Sequence, residues 1–125
     1  MALKIELKPF EKISLGPVAS VITNSDQRTV LNISGDVPIL REKDIMEEQD
    51  ADTPCKKFYF LVQRMYMAAD PAIYLDSYFA QIRDIQNAAP TTKVFFLKIN
   101  EMIKEGFYYK ALKEARQLIK HEENL

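Results

Sequence analysis

The feature that most constrains this chain is a change of hydrophobic period at Thr53-Pro54. Ahead of it, short apolar runs alternate with polar residues and break at turn residues, the pattern of strands with one buried face. Behind it, apolar residues recur every three or four positions, the pattern of helices packed along one side. The two periods belong to different elements, so the reading is an α+β chain with strands first and helices after.

Leu3-Lys4-Ile5-Glu6-Leu7-Lys8 alternates strictly and stops at Pro9, which cannot donate to a ladder. Lys12 to Leu15 is a second run, closed by Gly16-Pro17. Val18, Val21 and Ile22 form a third, followed by the turn residues Asn24-Ser25-Asp26. Thr29 to Ser34 then reads as the returning strand of a hairpin, and Gly35-Asp36 turns the chain into Val37-Pro38-Ile39-Leu40. The expectation is a small antiparallel five-stranded β module over residues 1–45, sheet or barrel-like meander. Its core must be thin, so it is expected to pair with the helical part or with a second copy of itself.

Residues 46–53 read as an acidic linker with a short helix. Thr53-Pro54 is a helix start, Thr as N-cap and Pro at the first helical position, where its missing N–H costs nothing. Asp70-Pro71 repeats the signal. The spacing predicts helices over about 54–69, 71–88, 92–105 and 107–122. Their inward residues are Phe58, Leu61, Val62, Met65 and Ala69, then Leu75, Tyr78, Phe79, Ile82 and Ile85. Phe95, Phe96, Ile99, Met102 and Ile103 follow on the third, which ends at Gly106. The fourth buries Tyr108, Ala111, Leu112, Ala115, Leu118 and Ile119, so the C-terminal helical domain, residues 54–125, reads as a four-helix bundle-like segment.

Composition excludes several classes. With 47% hydrophobic and 28% charged residues over 125 positions, the chain reads as globular and needs no metal or disulfide scaffold. One cysteine, Cys55, cannot form an internal bridge, no secretory leader is visible, and no apolar run approaches the roughly 20 residues that span a bilayer. The expectation is a cytoplasmic protein with no membrane association. The net charge is −1, and residues 1–45 carry six basic and six acidic side chains, which argues mildly against nucleic acid without excluding a local basic patch.

Enzyme signatures are absent: no glycine-rich phosphate loop, no paired cysteines, no histidine spacing for a metal and no nucleophile elbow. The reading is a non-enzyme with no catalytic residue, cofactor or metal. His121, the sole histidine, suits the C-terminal end of its helix, where a cation favours the dipole. Cys55 reads as a small buried apolar residue in preference to a reactive thiol at a helix start. Lys110, Lys113, Arg116 and Lys120 fall on one side of the last helix. That stripe can track a phosphate backbone or meet an acidic partner, and a solvated face is its ordinary alternative. Gly106 to Leu112 looks like part of a helical-repeat hairpin, but no second copy occurs at a fixed period.

Val21-Ile22-Thr23-Asn24-Ser25-Asp26-Gln27-Arg28-Thr29 and Gly35-Asp36-Val37-Pro38-Ile39-Leu40-Arg41-Glu42-Lys43-Asp44-Ile45 resemble the FlbT family of flagellum biosynthesis repressors. Thr53-Pro54, Met65-Tyr66, Asp70-Pro71, Ala89-Pro90 and Tyr109-Lys110-Ala111-Leu112 continue the likeness in order. The resemblance implies a post-transcriptional regulator that binds the 5' untranslated region of flagellin mRNA and promotes its degradation, restraining flagellin synthesis. The weak net charge and sparse basic residues keep open a different partner, flagellin or a flagellin chaperone such as FlaF, docked by the helical domain. Some family members favour flagellin expression instead.

The first third is also similar to the RNA-binding regulator CsrA. Glu11-Lys12-Ile13-Ser14-Leu15-Gly16 matches that family's second strand, and Leu40-Arg41-Glu42 the end of its fifth. This likeness implies a homodimer through the β module, with first and fifth strands interleaved and a basic residue closing the fifth against RNA. Carried over by position, Arg41 is the first RNA-binding candidate, and Lys4 and Lys8 follow; Arg28 and Lys43 are further candidates on the same side of the chain. Phe10 stands where that family has glycine, and of its paired arginines only Lys8 remains. An arginine fork can grip phosphate at two points or read a guanine edge. The ordinary alternative for Arg41 is an ion pair with Glu42 or Asp44. A second reading, an adaptor docking a protein through the helices, stays open.

Overall fold

The computed structural model describes residues 2–17 and 19–125 and divides into two compact units, residues 1–45 and 46–125. Val18, expected to open the third strand, lies outside the described residues.

The first unit has five antiparallel strands: β1 (Ala2–Leu7), β2 (Lys12–Leu15), β3 (Ala19–Ile22), β4 (Thr29–Ser34) and β5 (Ile39–Arg41). They form two ladders, β1 with β4, and β3-β2-β5. The expected hairpin between the third and fourth strands is therefore not made. Thr29 to Ser34 pairs with β1 instead, which sets Ile5 opposite Leu31 and Leu3 opposite Ile33. Two six-residue strands with matching apolar positions gain more cross-strand contact than β4 would against the four-residue β3. The core is thin: Leu7, Ile13 and Leu40 are fully buried, whereas Leu3, Ile22 and Val30 are exposed. A 3-10 turn, Glu42–Asp44, follows β5 and buries Asp44.

The second unit opens with another 3-10 turn, Glu48–Asp50, and contains α1 (Pro54–Met67), α2 (Leu75–Ala88), α3 (Lys93–Lys104) and α4 (Tyr108–Glu123). Thr53 caps α1, its Oγ1 accepting from the Lys56 N–H at 3.2 Å. Asp70 caps in the same way, but it opens a 3-10 turn, Pro71–Tyr74, and α2 begins only after that. The α1 helix ends at Met67, so Ala69 is not on its inward face and is exposed. Gly106 closes α3 at φ 79°, and the Phe107 N–H reaches back to the Met102 carbonyl at 2.8 Å, the Schellman arrangement that only a residue without Cβ adopts freely.

Phe58 of α1 is the centre of this unit, edge-on to Phe96 at 5.1 Å and tilted against Tyr78 at 5.5 Å between ring centres. Val62, Met65, Ile99, Leu112 and Leu118 complete the buried layer. Phe79, expected inside, is 56% exposed and packs its edge on Tyr78 from without. The buried Tyr78 hydroxyl donates to Asn100 Oδ1 at 2.6 Å, and burial raises its pKa. Among the described residues no helix is long and apolar enough to cross a membrane.

Candidate nucleic-acid interface

The connection from β1 to β2 is a four-residue turn, Lys8-Pro9-Phe10-Glu11, closed by the Glu11 N–H donating to the Lys8 carbonyl at 3.1 Å. Pro9 at its second position and a positive φ of 57° at Phe10 give it the pattern of a type II turn, in which glycine is the favoured third residue. Glu11 locks it. Its Oε1 accepts from the Lys8 N–H at 2.9 Å, and its carbonyl accepts from the Thr23 N–H at 3.1 Å.

Arg41 stands opposite Ile13 at the end of β5, which brings its guanidinium to this turn. Nε donates to Glu11 Oε2 at 3.1 Å and Nη2 to Glu11 Oε1 at 2.9 Å, a two-point grip on a carboxylate that is nine-tenths buried. Nη2 also donates to the Glu6 carbonyl at 2.6 Å. The hydrogen-bonded partner is therefore Glu11, thirty positions away, and the Asp44 charge adds to its field on Arg41. The Arg41 hydrogen bonds hold the Glu11 carboxyl below its ordinary value, with burial opposing. The side of the fork expected for two-point RNA recognition is committed inward, and Nη1 alone makes no hydrogen bond among the described residues.

Lys8, Arg41 and Lys43 line one surface hollow of about 450 Å³, together with Pro9, Glu11 and Glu42. The cations there outnumber the carboxylates, and Glu11 is already matched by Arg41, so the hollow is net positive through its lysines. The other two strand-side candidates do not join them. Arg28 donates to Glu6 Oε1 at 2.8 Å, an exposed pair worth little. Lys4 is exposed on β1 opposite Asn32. Glu11, the residue that organises the hollow, carries no local signal as a partner because its contact with Arg41 is set by strand pairing.

On α4 the stripe persists. Lys110 and Lys113 rest over the rings of Phe107 and Tyr109 at 4.7 and 5.0 Å, and the Arg116 Nη2 donates to the Tyr59 hydroxyl at 3.0 Å. Lys120 is exposed. Of the helix's three glutamates, Glu123 is exposed three positions after Lys120, Glu114 faces Lys98 of α3 at 3.9 Å, and Glu122 is tied to the start of α1. Its carboxylate accepts from the Thr53 hydroxyl at 2.5 Å and the Cys55 N–H at 3.0 Å, satisfying donors left open at a helix N-terminus. Burial, with help from Glu122, pushes the Cys55 thiol up to about 12, so it is buried and unreactive at neutral pH. His121 Nε2 lies 2.8 Å from Thr91 Oγ1.

The family described as Flagellar protein FlbT matches residues 3–125. A Bradyrhizobium diazoefficiens protein named "Probable flagellum biosynthesis repressor protein FlbT 1" is 50% identical over all of this chain and 85% of its own length. A Rhodopseudomonas palustris protein (strain TIE-1), "Probable flagellum biosynthesis repressor protein FlbT", is 48% identical over all of this chain and 98% of its own. The "Flagellum biosynthesis repressor protein FlbT" of Caulobacter vibrioides (strain ATCC 19089) is 32% identical over 98% of this chain and 88% of its own. No solved structure matches significantly. On a match that runs from the first strand to the last residue, the chain belongs to the FlbT family of flagellar proteins.

Proposed function

We propose that this protein is a repressor of flagellum biosynthesis that binds the 5' untranslated region of flagellin mRNA and promotes its degradation. The names of its relatives support the repressor role. The observation that carries the RNA reading is the hollow on the β unit, where Lys8, Arg41 and Lys43 converge from two ends of that unit's sequence. Two ammonium groups and the remaining face of a guanidinium suit phosphate oxygens, whose neutralisation supplies most non-specific affinity. Degradation is then the work of a nuclease recruited to the bound leader. The exposed Leu3, Ile22 and Val30 of a thin-cored unit support pairing with a second copy.

The test is binding of a labelled flagellin leader RNA across a salt series. Lys8→Gln with Lys43→Gln should weaken binding about tenfold and flatten the log–log salt slope by roughly 1.4, about 0.7 for each single-strand phosphate no longer neutralised. An unchanged slope removes the hollow from the interface. One observation favours the adaptor reading: Lys110 and Lys113 lie exposed along the first half of α4 while Glu114 pairs with Lys98 of α3, leaving a cationic stretch for an acidic protein. Salt-insensitive capture of flagellin or its chaperone, without RNA binding, is the result that would select it.

A further inference from the structure

Phe10 is placed where a folded chain has no reason to keep an aromatic. Its φ of 57° lies in the left-handed region, which disfavours any residue with a Cβ, and the residue is 58% exposed. Neither core packing nor turn geometry accounts for it: glycine would relieve the backbone, and a polar residue would suit the solvent. Backbone strain kept at an exposed position is a pointer to function. Phe10 is also the one aromatic residue in the first unit.

Its surroundings narrow the function. The turn is held by the Glu11 N–H to Lys8 carbonyl bond, by the Lys8 N–H to Glu11 Oε1 bond and by the Thr23 N–H to Glu11 carbonyl bond, and Glu11 is anchored again by Arg41. A ring on so fixed a turn loses little entropy on meeting a ligand. Both neighbours, Pro9 and Glu11, line the hollow that holds Lys8, Arg41 and Lys43. An exposed apolar ring on the turn whose flanking residues line a cationic hollow matches a nucleotide, which presents a flat base next to a phosphate. A purely ionic partner would make no use of the ring, and a purely apolar one none of the lysines.

We propose that Phe10 stacks on an unpaired base of the bound RNA, the neighbouring hollow holding that strand's phosphates. This rests on the RNA reading above and adds the residue that reads a base face. It is a single stacking finger, not a multi-ring platform.

The chain contains no tryptophan, so Phe10→Trp introduces one reporter at the site in question. Added flagellin leader RNA should quench its emission, at a midpoint equal to the dissociation constant found by anisotropy. Phe10→Gly should raise the melting temperature, by relieving the turn, and yet weaken RNA binding about tenfold, within the range for losing one base–aromatic stack. A Phe10→Gly protein that binds like the parent, or Phe10→Trp emission that RNA leaves unchanged while anisotropy reports binding, overturns the stacking role and leaves the RNA reading intact. If the parent protein binds no RNA at any salt concentration, both fail together. Emission that shifts on concentrating Phe10→Trp without RNA assigns the ring to a contact between copies and overturns the proposal.

Discussion

Arg41 shows how one side chain serves architecture before it serves recognition. Its fork joins the end of β5 to the β1–β2 turn through a buried carboxylate, and only Nη1 is left for a ligand. Arg41→Ala strands Glu11 without its cation, a loss of about 1 to 3 kcal/mol that should appear as a lower melting temperature of the β unit even without RNA. The same pair sets an acid limit. Because the folded Glu11 carboxyl titrates below its ordinary value of 4.5, its contribution is complete above that value and is lost as pH falls through the lower folded value. Thermal melts should stay level down to about pH 4.5 and decline as the pH falls from there toward the lower folded value, and Glu11→Gln should lessen that decline. Sequence can nominate Arg41 through the likeness of Leu40-Arg41-Glu42 to the end of the CsrA fifth strand. It cannot nominate Glu11, because the two are neighbours only once β2 and β5 are in register.

Among the elements, the helices are legible in the sequence and the strand pairing is not. Helix starts are written locally, in Thr53-Pro54 and Asp70-Pro71, and inward faces repeat at a fixed spacing. The failures are at the margins: Asp70-Pro71 begins a 3-10 turn before α2, Ala69 falls beyond α1, and Phe79 faces outward. A four-residue strand, in contrast, carries too little pattern to choose its neighbour, so adjacency points β4 to β3 while its length and apolar register suit β1. The α1 N-terminus also borrows from afar, since Glu122 of α4 supplements the Thr53 cap. Thr53→Ala should therefore cost about 1 to 2 kcal/mol, at the upper end for a cap, because it also removes a hydrogen bond to Glu122. A denaturation midpoint within error of the parent's would contradict that coupling.

For the whole molecule, the β unit is where chemistry and exposure coincide, with its cationic hollow, its exposed ring and its uncovered apolar strands. The helical unit has a full aromatic core and a basic outer helix. A dimer through the β unit would cover Leu3, Ile22 and Val30. Sedimentation at micromolar concentration should give twice the chain mass of 14.5 kDa, and Ile22→Lys should return it to the monomer; a monomeric parent contradicts the pairing. We propose that the strand side of Thr53-Pro54 is what touches RNA. Ultraviolet crosslinking of this protein to a flagellin leader RNA, followed by peptide mapping, is the test. Crosslinks should concentrate between Lys8 and Lys43, with Phe10 among the modified residues; crosslinks confined to residues 46–125 would contradict the account.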